Sequence, residues 1–260
     1  MAFDLDTYLR STDRLDVEDI DFAAFRDDPL PPPLLRCLRY MHDVENHTSC
    51  YLRNLLNTRA HHDPQITTFL TLWNHEEFWH GEALGRVLAA HEEPGGAPRV
   101  ATMRARLGWR ISASPLLWMA FSAATTHFLA VHMTFGVLNE WTTQAGYVRL
   151  AAESRHPVLD ELLRRIMRQE GTHIAFYRSR AVEQLEASAS AQRTTRRVLR
   201  SLWSPVGASV MPAEEARHLV RTLFSGPEGV AVAERIDRRV DALPGLAGLD
   251  LLAGALRRYG

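Results

Sequence analysis

Residues 73–84 read WNHEEFWHGEAL and place Glu77 three positions before His80. Residues three apart lie on the same face of an α-helix, so one helix would direct both side chains toward the same point. Trp73 and Leu84 flank the pair on that face. A carboxylate on an otherwise apolar face is costly to bury unless it is paired or binds a metal ion. This stretch therefore predicts a helix that points metal ligands inward.

A second segment repeats the arrangement. Residues 169–177, QEGTHIAFY, carry Glu170 and His173, and Ile166 and Tyr177 flank this pair on the same helical face. Both pairs lie in the middle of long predicted helices, on stripes that are otherwise apolar. We therefore interpret both as metal ligands.

Two further Glu-x-x-His pairs have local explanations. Glu153 and His156 lie at an expected helix end, because His156 directly precedes Pro157 and a residue before proline avoids the helical conformation. Glu215, which precedes His218, lies at an expected helix start, where the helix dipole favours a carboxylate. We leave both pairs out of the predicted site.

Each retained pair follows a single glutamate at a similar distance. Glu45, expected in the middle of a helix, lies 32 residues before Glu77, and Glu140 lies 30 residues before Glu170. Two helices with one Glu each and two with Glu-x-x-His form the ligand set of carboxylate-bridged di-iron bundles. Carboxylates stabilise oxidised iron and can bridge two ions, and one imidazole per ion leaves room for oxygen. The predicted ligands of two iron ions (Fe2+/Fe3+) are Glu45, Glu77, His80, Glu140, Glu170 and His173.

Helical periodicity and proline positions predict the elements that carry these residues. We expect four long helices, at about residues 31–59, 64–91, 115–155 and 158–187. No alternating strand pattern of useful length is present. Long helices with short connections predict an all-α helical bundle.

The chain divides into three predicted segments. Residues 1–30 are acidic and weakly periodic and are expected to form an N-terminal arm. Residues 31–187 would form the four-helix core. Residues 188–260 contain short apolar stretches broken by prolines, and we expect additional short helices packed on the core.

Segment 111–139 carries no charged residue and is long enough to span a bilayer. It contains His127, His132 and several Ser and Thr residues, and it continues into Glu140 without a break signal. We therefore expect a central helix that is buried on all sides, and no membrane span. The opening segment MAFDLDTYLR lacks the features of a signal peptide, so we expect a cytoplasmic protein.

Composition excludes several functions. The net charge of -1 gives no basis for binding nucleic acid. The 30 basic residues counted as Lys or Arg are all Arg, which excludes a Schiff-base lysine and a P-loop. Cys37 and Cys50 are too far apart for a Cys-x-x-Cys metal motif.

These motifs resemble the soluble acyl-carrier-protein desaturases, a family of ferritin-like carboxylate-bridged di-iron proteins. Residues 73–84 are similar to the family's W-x-x-E-E-x-x-H-G-x-x-L segment, and residues 42–58 and 169–177 to its first and last ligand segments. NEWTTQ, residues 139–144, is similar to the E-R-A-T element and implies that Thr143 is a catalytic threonine near the oxygen site. The resemblance covers about residues 30–185 and implies a ferritin-like bundle.

The resemblance also implies a reaction and partners. The enzyme would use molecular oxygen to introduce a double bond into a fatty acyl chain carried on acyl carrier protein. Its electrons would come from a ferredoxin-type donor, and it would form a homodimer. Two positions depart from the family pattern: Gln169 replaces an acidic residue, and Thr172 replaces a basic one.

Other reactions fit the same ligands. A related di-iron oxygenase would hydroxylate carbon or oxidise an amine in a biosynthetic pathway. A non-catalytic ferritin-like iron-binding protein is a further alternative, which the Trp-rich ligand helix and the C-terminal segment disfavour. Acyl chain length and bond position stay open.

Overall fold

The computed structural model describes residues 3–260, and all regular secondary structure in that range is helical. This confirms the predicted all-α class. The elements in chain order are α1 (Leu5–Ser11), α2 (Ala24–Asp27), α3 (Pro32–Glu45), α4 (Thr48–Leu56), a 3₁₀ turn (Arg59–His62), α5 (Pro64–Ala90), α6 (Gly96–Leu107), α7 (Trp109–Ala124), α8 (Phe128–Ser154), α9 (Pro157–Glu186), α10 (Ala189–Leu202), α11 (Ala213–Leu223), α12 (Gly226–Asp241) and α13 (Leu251–Tyr259).

Helices α5 and α9 begin and end close to the predicted positions. The carboxylate of Asp63 accepts hydrogen bonds from the backbone N–H groups of Gln65 and Ile66, and Pro64 occupies the first turn of α5. A capping side chain and a first-turn proline together stabilise a helix start. Helix α9 likewise begins with Pro157.

The helix predicted at 31–59 is in fact two helices. Helix α3 ends at Glu45 and α4 begins at Thr48. The side-chain amide of Asn46 donates to the His42 carbonyl at 2.9 Å, and the Thr48 hydroxyl donates to the Glu45 carbonyl at 2.6 Å. Such side-chain bonds to the backbone compete with a continuous helix. Glu45 therefore lies at the end of a helix, and the expectation of a mid-helix position was wrong.

The helix predicted at 115–155 is also two helices, α7 and α8, separated at residues 125–127. Pro115 lies inside α7, so the predicted start at this proline was wrong. A proline removes the hydrogen bond that the carbonyl four residues earlier would accept. Here that carbonyl belongs to Ile111, and it accepts instead from Arg53 of α4 at 2.7 Å and from the Ser114 hydroxyl at 3.1 Å.

The uncharged segment 111–139 is buried only in its second half. In α8, Phe128 and Met133 are fully buried, as expected. In α7, by contrast, Leu116 and Leu117 are 67% and 68% exposed. The expected helix buried on all sides is thus wrong for α7. None of the helices within residues 3–260 is long and apolar enough to cross a membrane.

The contacts divide the chain into two compact units. One, here called the α3–α5 unit, comprises residues 4–125 and 150–169. Within it α3 packs against α5, and α4 packs against both α5 and α7. Its fully buried apolar side chains include Leu38, Leu55, Phe69, Leu70, Leu84, Leu88, Leu162 and Leu163.

The other unit, here called the C-terminal unit, comprises residue 3 and residues 126–149 and 170–260. Helix α13 packs against α11 and α12. The carboxylate of Asp237 accepts the backbone N–H groups of Leu252 and Ala253, both at 2.9 Å, and so caps the first turn of α13. The short C-terminal helices are as predicted, while the boundaries of the three predicted segments stay a prediction.

Candidate metal centre

Glu45, Glu77 and His80 form a buried cluster in the α3–α5 unit. Glu45 is the last residue of α3, and the other two lie on consecutive turns of α5. One ligand atom from each residue lies within 4.8 Å of the ligand atoms of the other two. Nδ1 of His80 faces Glu77 Oε2 at 3.4 Å. None of the three is more than 4% exposed. We call this set the α3–α5 cluster.

Glu140, Glu170 and His173 form a second buried cluster, in the C-terminal unit. Glu140 comes from α8, and Glu170 and His173 come from consecutive turns of α9. Their ligand atoms also lie within 4.8 Å of one another. Nδ1 of His173 lies 3.2 Å from Glu170 Oε2. Glu170 and His173 are fully buried and Glu140 is 6% exposed. We call this set the α8–α9 cluster.

The two clusters have the same composition, which is two carboxylates and one imidazole. Two carboxylates so close together and shielded from water repel each other, and a bound cation removes that repulsion. Oxygen and imidazole nitrogen donors are the ligands that iron accepts in non-haem proteins. Each cluster could therefore hold a metal ion, and the donor set fits iron.

Gln169 positions the imidazole of His80. Nε2 of the Gln169 amide donates to the backbone carbonyl of Asp13 at 3.0 Å. Because a carbonyl only accepts, this bond directs the amide oxygen of Gln169 toward His80, where it lies 2.9 Å from Nε2. His80 must then carry its proton on Nε2, so Nδ1 keeps the lone pair that a metal ion needs.

Glu76 is a buried carboxylate that the sequence did not single out. It is 2% exposed and accepts hydrogen bonds from the hydroxyls of Tyr8 at 2.8 Å and Thr12 at 2.7 Å. Tyr8 belongs to α1, so the N-terminal segment is fixed directly beside the α5 ligand residues. In the sequence, the Tyr-x-x-x-Thr spacing indicates only that two hydroxyls share one helical face. No neighbouring residue in the chain indicates that Glu76 accepts their hydrogen bonds.

Thr143 lies in α8, one turn after Glu140, and is half-buried. Residues three apart in a helix share a face, so Thr143 is on the side of α8 that carries Glu140. The adjacent Thr142 is different, because its hydroxyl donates to the carbonyls of Leu138 and Asn139 within α8.

The two excluded Glu-x-x-His pairs lie outside both clusters. His156 immediately precedes α9 and stacks on Phe25, with ring centroids 4.3 Å apart, while Glu153 is exposed. Glu215 lies in the first turn of α11, as expected from the helix dipole. Among residues 3–260, neither pair belongs to a group of side chains that could hold a metal ion.

No family model, curated protein or solved structure matches this chain. The chemistry of the two clusters and the sequence motifs that carry them are thus the basis for assigning a function.

Proposed function

We propose that this protein is an oxygen-dependent di-iron oxidoreductase that introduces a double bond into a fatty acyl chain carried on acyl carrier protein. The observation that carries the proposal is the pair of buried clusters with identical donor sets. Four carboxylates would neutralise two ferrous ions, which makes it feasible to bury so much charge. The two imidazoles would give each ion one nitrogen ligand.

The sequence pattern favours one centre with two ions over two separate sites, because two single Glu residues and two Glu-x-x-His pairs are the ligand set of carboxylate-bridged di-iron bundles. In the proposed centre, the six ligands are Glu45, Glu77, His80, Glu140, Glu170 and His173.

Gln169 and Thr143 each have a defined task beside the iron pair in this proposal. When bound, the iron pair supplies the reduction of molecular oxygen and the oxidising power to remove hydrogen from an unactivated carbon. Gln169 keeps His80 in the tautomer with a lone pair on Nδ1. The Oγ1 hydroxyl of Thr143, on the ligand face of α8, passes a proton toward the oxygen site.

Helix α10 offers a surface for an acidic carrier protein. Arg193, Arg197 and Arg200 are exposed, at spacings that place them along one face of this helix. A positive surface of this kind favours association with a negatively charged partner. A ferredoxin-type electron donor and a homodimeric state complete the proposal and rest on the sequence resemblance.

The reaction is tested by incubating the iron-loaded, reduced protein with stearoyl-acyl carrier protein and oxygen. A new carbon–carbon double bond in the recovered acyl chain is the expected product. The variant Thr143→Val should retain iron and lose turnover. Thr142→Val should retain both iron and turnover, because the hydroxyl that it removes is bonded inside α8. An alcohol product, or oxygen consumption without a changed acyl chain, would contradict desaturation.

Hydroxylation of carbon or oxidation of an amine is the second candidate reaction. Gln169 favours it, because its amide keeps the hydrogen bond to His80 but supplies no negative charge where the desaturase pattern has an acid. The same incubation is repeated with acyl chains and with free amines as substrates. An alcohol or an oxidised amine as the product would indicate this candidate, whereas a new double bond would indicate desaturation.

A further inference from the structure

Helix α7 exposes four large apolar side chains. Trp109, Leu116, Leu117 and Met119 are 76%, 67%, 68% and 45% exposed. Ser122 is the only buried residue of the helix. The 3.6-residue period spreads these four large side chains over an arc of about 160° around the helix axis. A contiguous apolar face of this kind marks an interaction site.

The inward side of α7 is held by specific contacts to α4 and the 3₁₀ turn. Arg53 donates to the Ile111 carbonyl at 2.7 Å, and Arg59 donates to the Ser122 carbonyl at 3.0 Å. The rings of Tyr51 and Trp118 pack edge to face, with centroids 5.5 Å apart. The orientation of α7 is therefore fixed, with its aliphatic face directed away from the unit to which it belongs.

The chain segment that contains α6 and α7 carries charge of only one sign. Residues 94–139 contain no Asp or Glu and carry four arginines, Arg99, Arg104, Arg106 and Arg110. Arg99 is neutralised by Asp43, which accepts from its Nε at 2.6 Å and from its Nη2 at 2.8 Å. Arg106 and Arg110 are exposed on either side of Trp109. The face therefore combines exposed aliphatic groups with unneutralised positive charge at one end.

We propose that α7 and the end of α6 bind the surface of an anionic lipid bilayer. An interfacial helix inserts Trp and Leu among the headgroups and acyl chains while arginines contact anionic headgroups. The binding surface consists of Arg106, Trp109, Arg110, Leu116, Leu117 and Met119. This inference is independent of the metal centre and of the reaction proposed for it.

A second copy of the chain is a poorer occupant. An isologous contact presents the same surface from both copies. It would bring Arg106 and Arg110 of both copies to one interface, and residues 94–139 offer no carboxylate to pair with them. Anionic headgroups supply the missing negative charge, and the bilayer interior covers the leucines.

The test is sedimentation of the full-length protein with vesicles of phosphatidylcholine, with and without about 30% phosphatidylglycerol. Binding is expected only to the anionic vesicles and should weaken with salt. The double variant Leu116→Gln/Leu117→Gln should weaken binding by at least ~10-fold, because burying each leucine is strongly favourable. The double variant Arg106→Gln/Arg110→Gln should weaken it by roughly 10-fold or more.

Matched controls use exposed residues elsewhere. Leu202→Gln removes a leucine that is 66% exposed at the end of α10, and Arg257→Gln/Arg258→Gln removes two exposed arginines of α13. Both should bind vesicles as the unchanged protein does. Absence of binding to anionic vesicles overturns the proposal. The proposal is also overturned if the α7 variants instead abolish a concentration-dependent dimer or the binding of an acidic protein.

Discussion

Gln169 links the N-terminal segment to a candidate metal ligand through its two amide atoms. The bond to the Asp13 carbonyl orients the amide, and the amide oxygen then fixes the proton of His80 on Nε2. A metal-binding histidine held in this way is a better ligand, because the correct nitrogen already faces the metal ion. The hydrogen bond would thus raise metal affinity without itself contacting the metal ion.

Replacing Gln169 should therefore weaken iron binding. Gln169→Leu removes the acceptor for His80 Nε2–H, and we expect iron affinity to fall roughly 10- to 100-fold. Gln169→Glu keeps an acceptor for that proton, so its iron affinity should fall less than that of Gln169→Leu. Competition with a chelator measures both affinities. Equal affinity in all three proteins would show that the hydrogen bond does not position His80.

Asp19 and Arg165 fix another part of the N-terminal segment to α9. The Arg165 guanidinium donates two hydrogen bonds to the Asp19 carboxylate, at 2.6 and 2.7 Å. These bonds lower the pKa of Asp19 from 3.8 to about 2. Because the pKa is lower in the folded state, the pair stabilises the fold fully above pH 3.8 and loses this effect as the pH falls toward 2.

An NMR titration of the carboxyl groups checks this assignment. Arg165→Gln should return the pKa of Asp19 toward 3.8. Arg164→Gln is the matched control, since Arg164 pairs with Glu161. An unchanged pKa of Asp19 in Arg165→Gln would mean that another group lowers it.

At the scale of the elements, α8 and α9 pack closely at Gly136. A Cβ atom at this position would overlap the ring of Tyr177, which is 1% exposed. We expect Gly136→Ala to lower the free energy of unfolding by about 1–3 kcal/mol, because the added methyl group would overlap a buried ring. Denaturation in urea measures the change.

Gly171, also within a helix, provides the control for Gly136. A Cβ atom there would meet nothing within 4 Å. Gly171→Ala should therefore stabilise α9 by up to ~1 kcal/mol through helix propensity alone. Equal effects of the two substitutions would contradict the close approach of Tyr177 to Gly136.

Element boundaries were predictable where local signals decided them. Asp63 and Pro64 at the start of α5, and Pro157 at the start of α9, are capping signals that act within one turn. The interior position of Pro115 was not predictable. The hydrogen bond that satisfies the freed carbonyl comes from Arg53, 58 residues away from Ile111 in the chain.

At the scale of the whole molecule, periodicity and ligand spacing were sufficient to predict an all-α fold. The helical spacing of Glu77 with His80, and of Glu170 with His173, brings each pair to one helical face. The bonds from Tyr8 and Thr12 to Glu76 were not predictable, because they join residues more than 60 positions apart. Likewise, hydrophobicity alone could not distinguish the exposed leucines of α7 from the buried side chains of α8.

The most direct test of the central claim is the iron content of the purified, iron-loaded chain. The protein should bind about two iron ions. Glu77→Ala, in the α3–α5 cluster, and His173→Ala, in the α8–α9 cluster, should each lose iron. Glu153→Ala and Glu215→Ala, from the excluded Glu-x-x-His pairs, should keep both ions. Fewer than about one iron per chain, unchanged in Glu77→Ala and His173→Ala, would contradict the assignment of these residues as ligands of a di-iron centre.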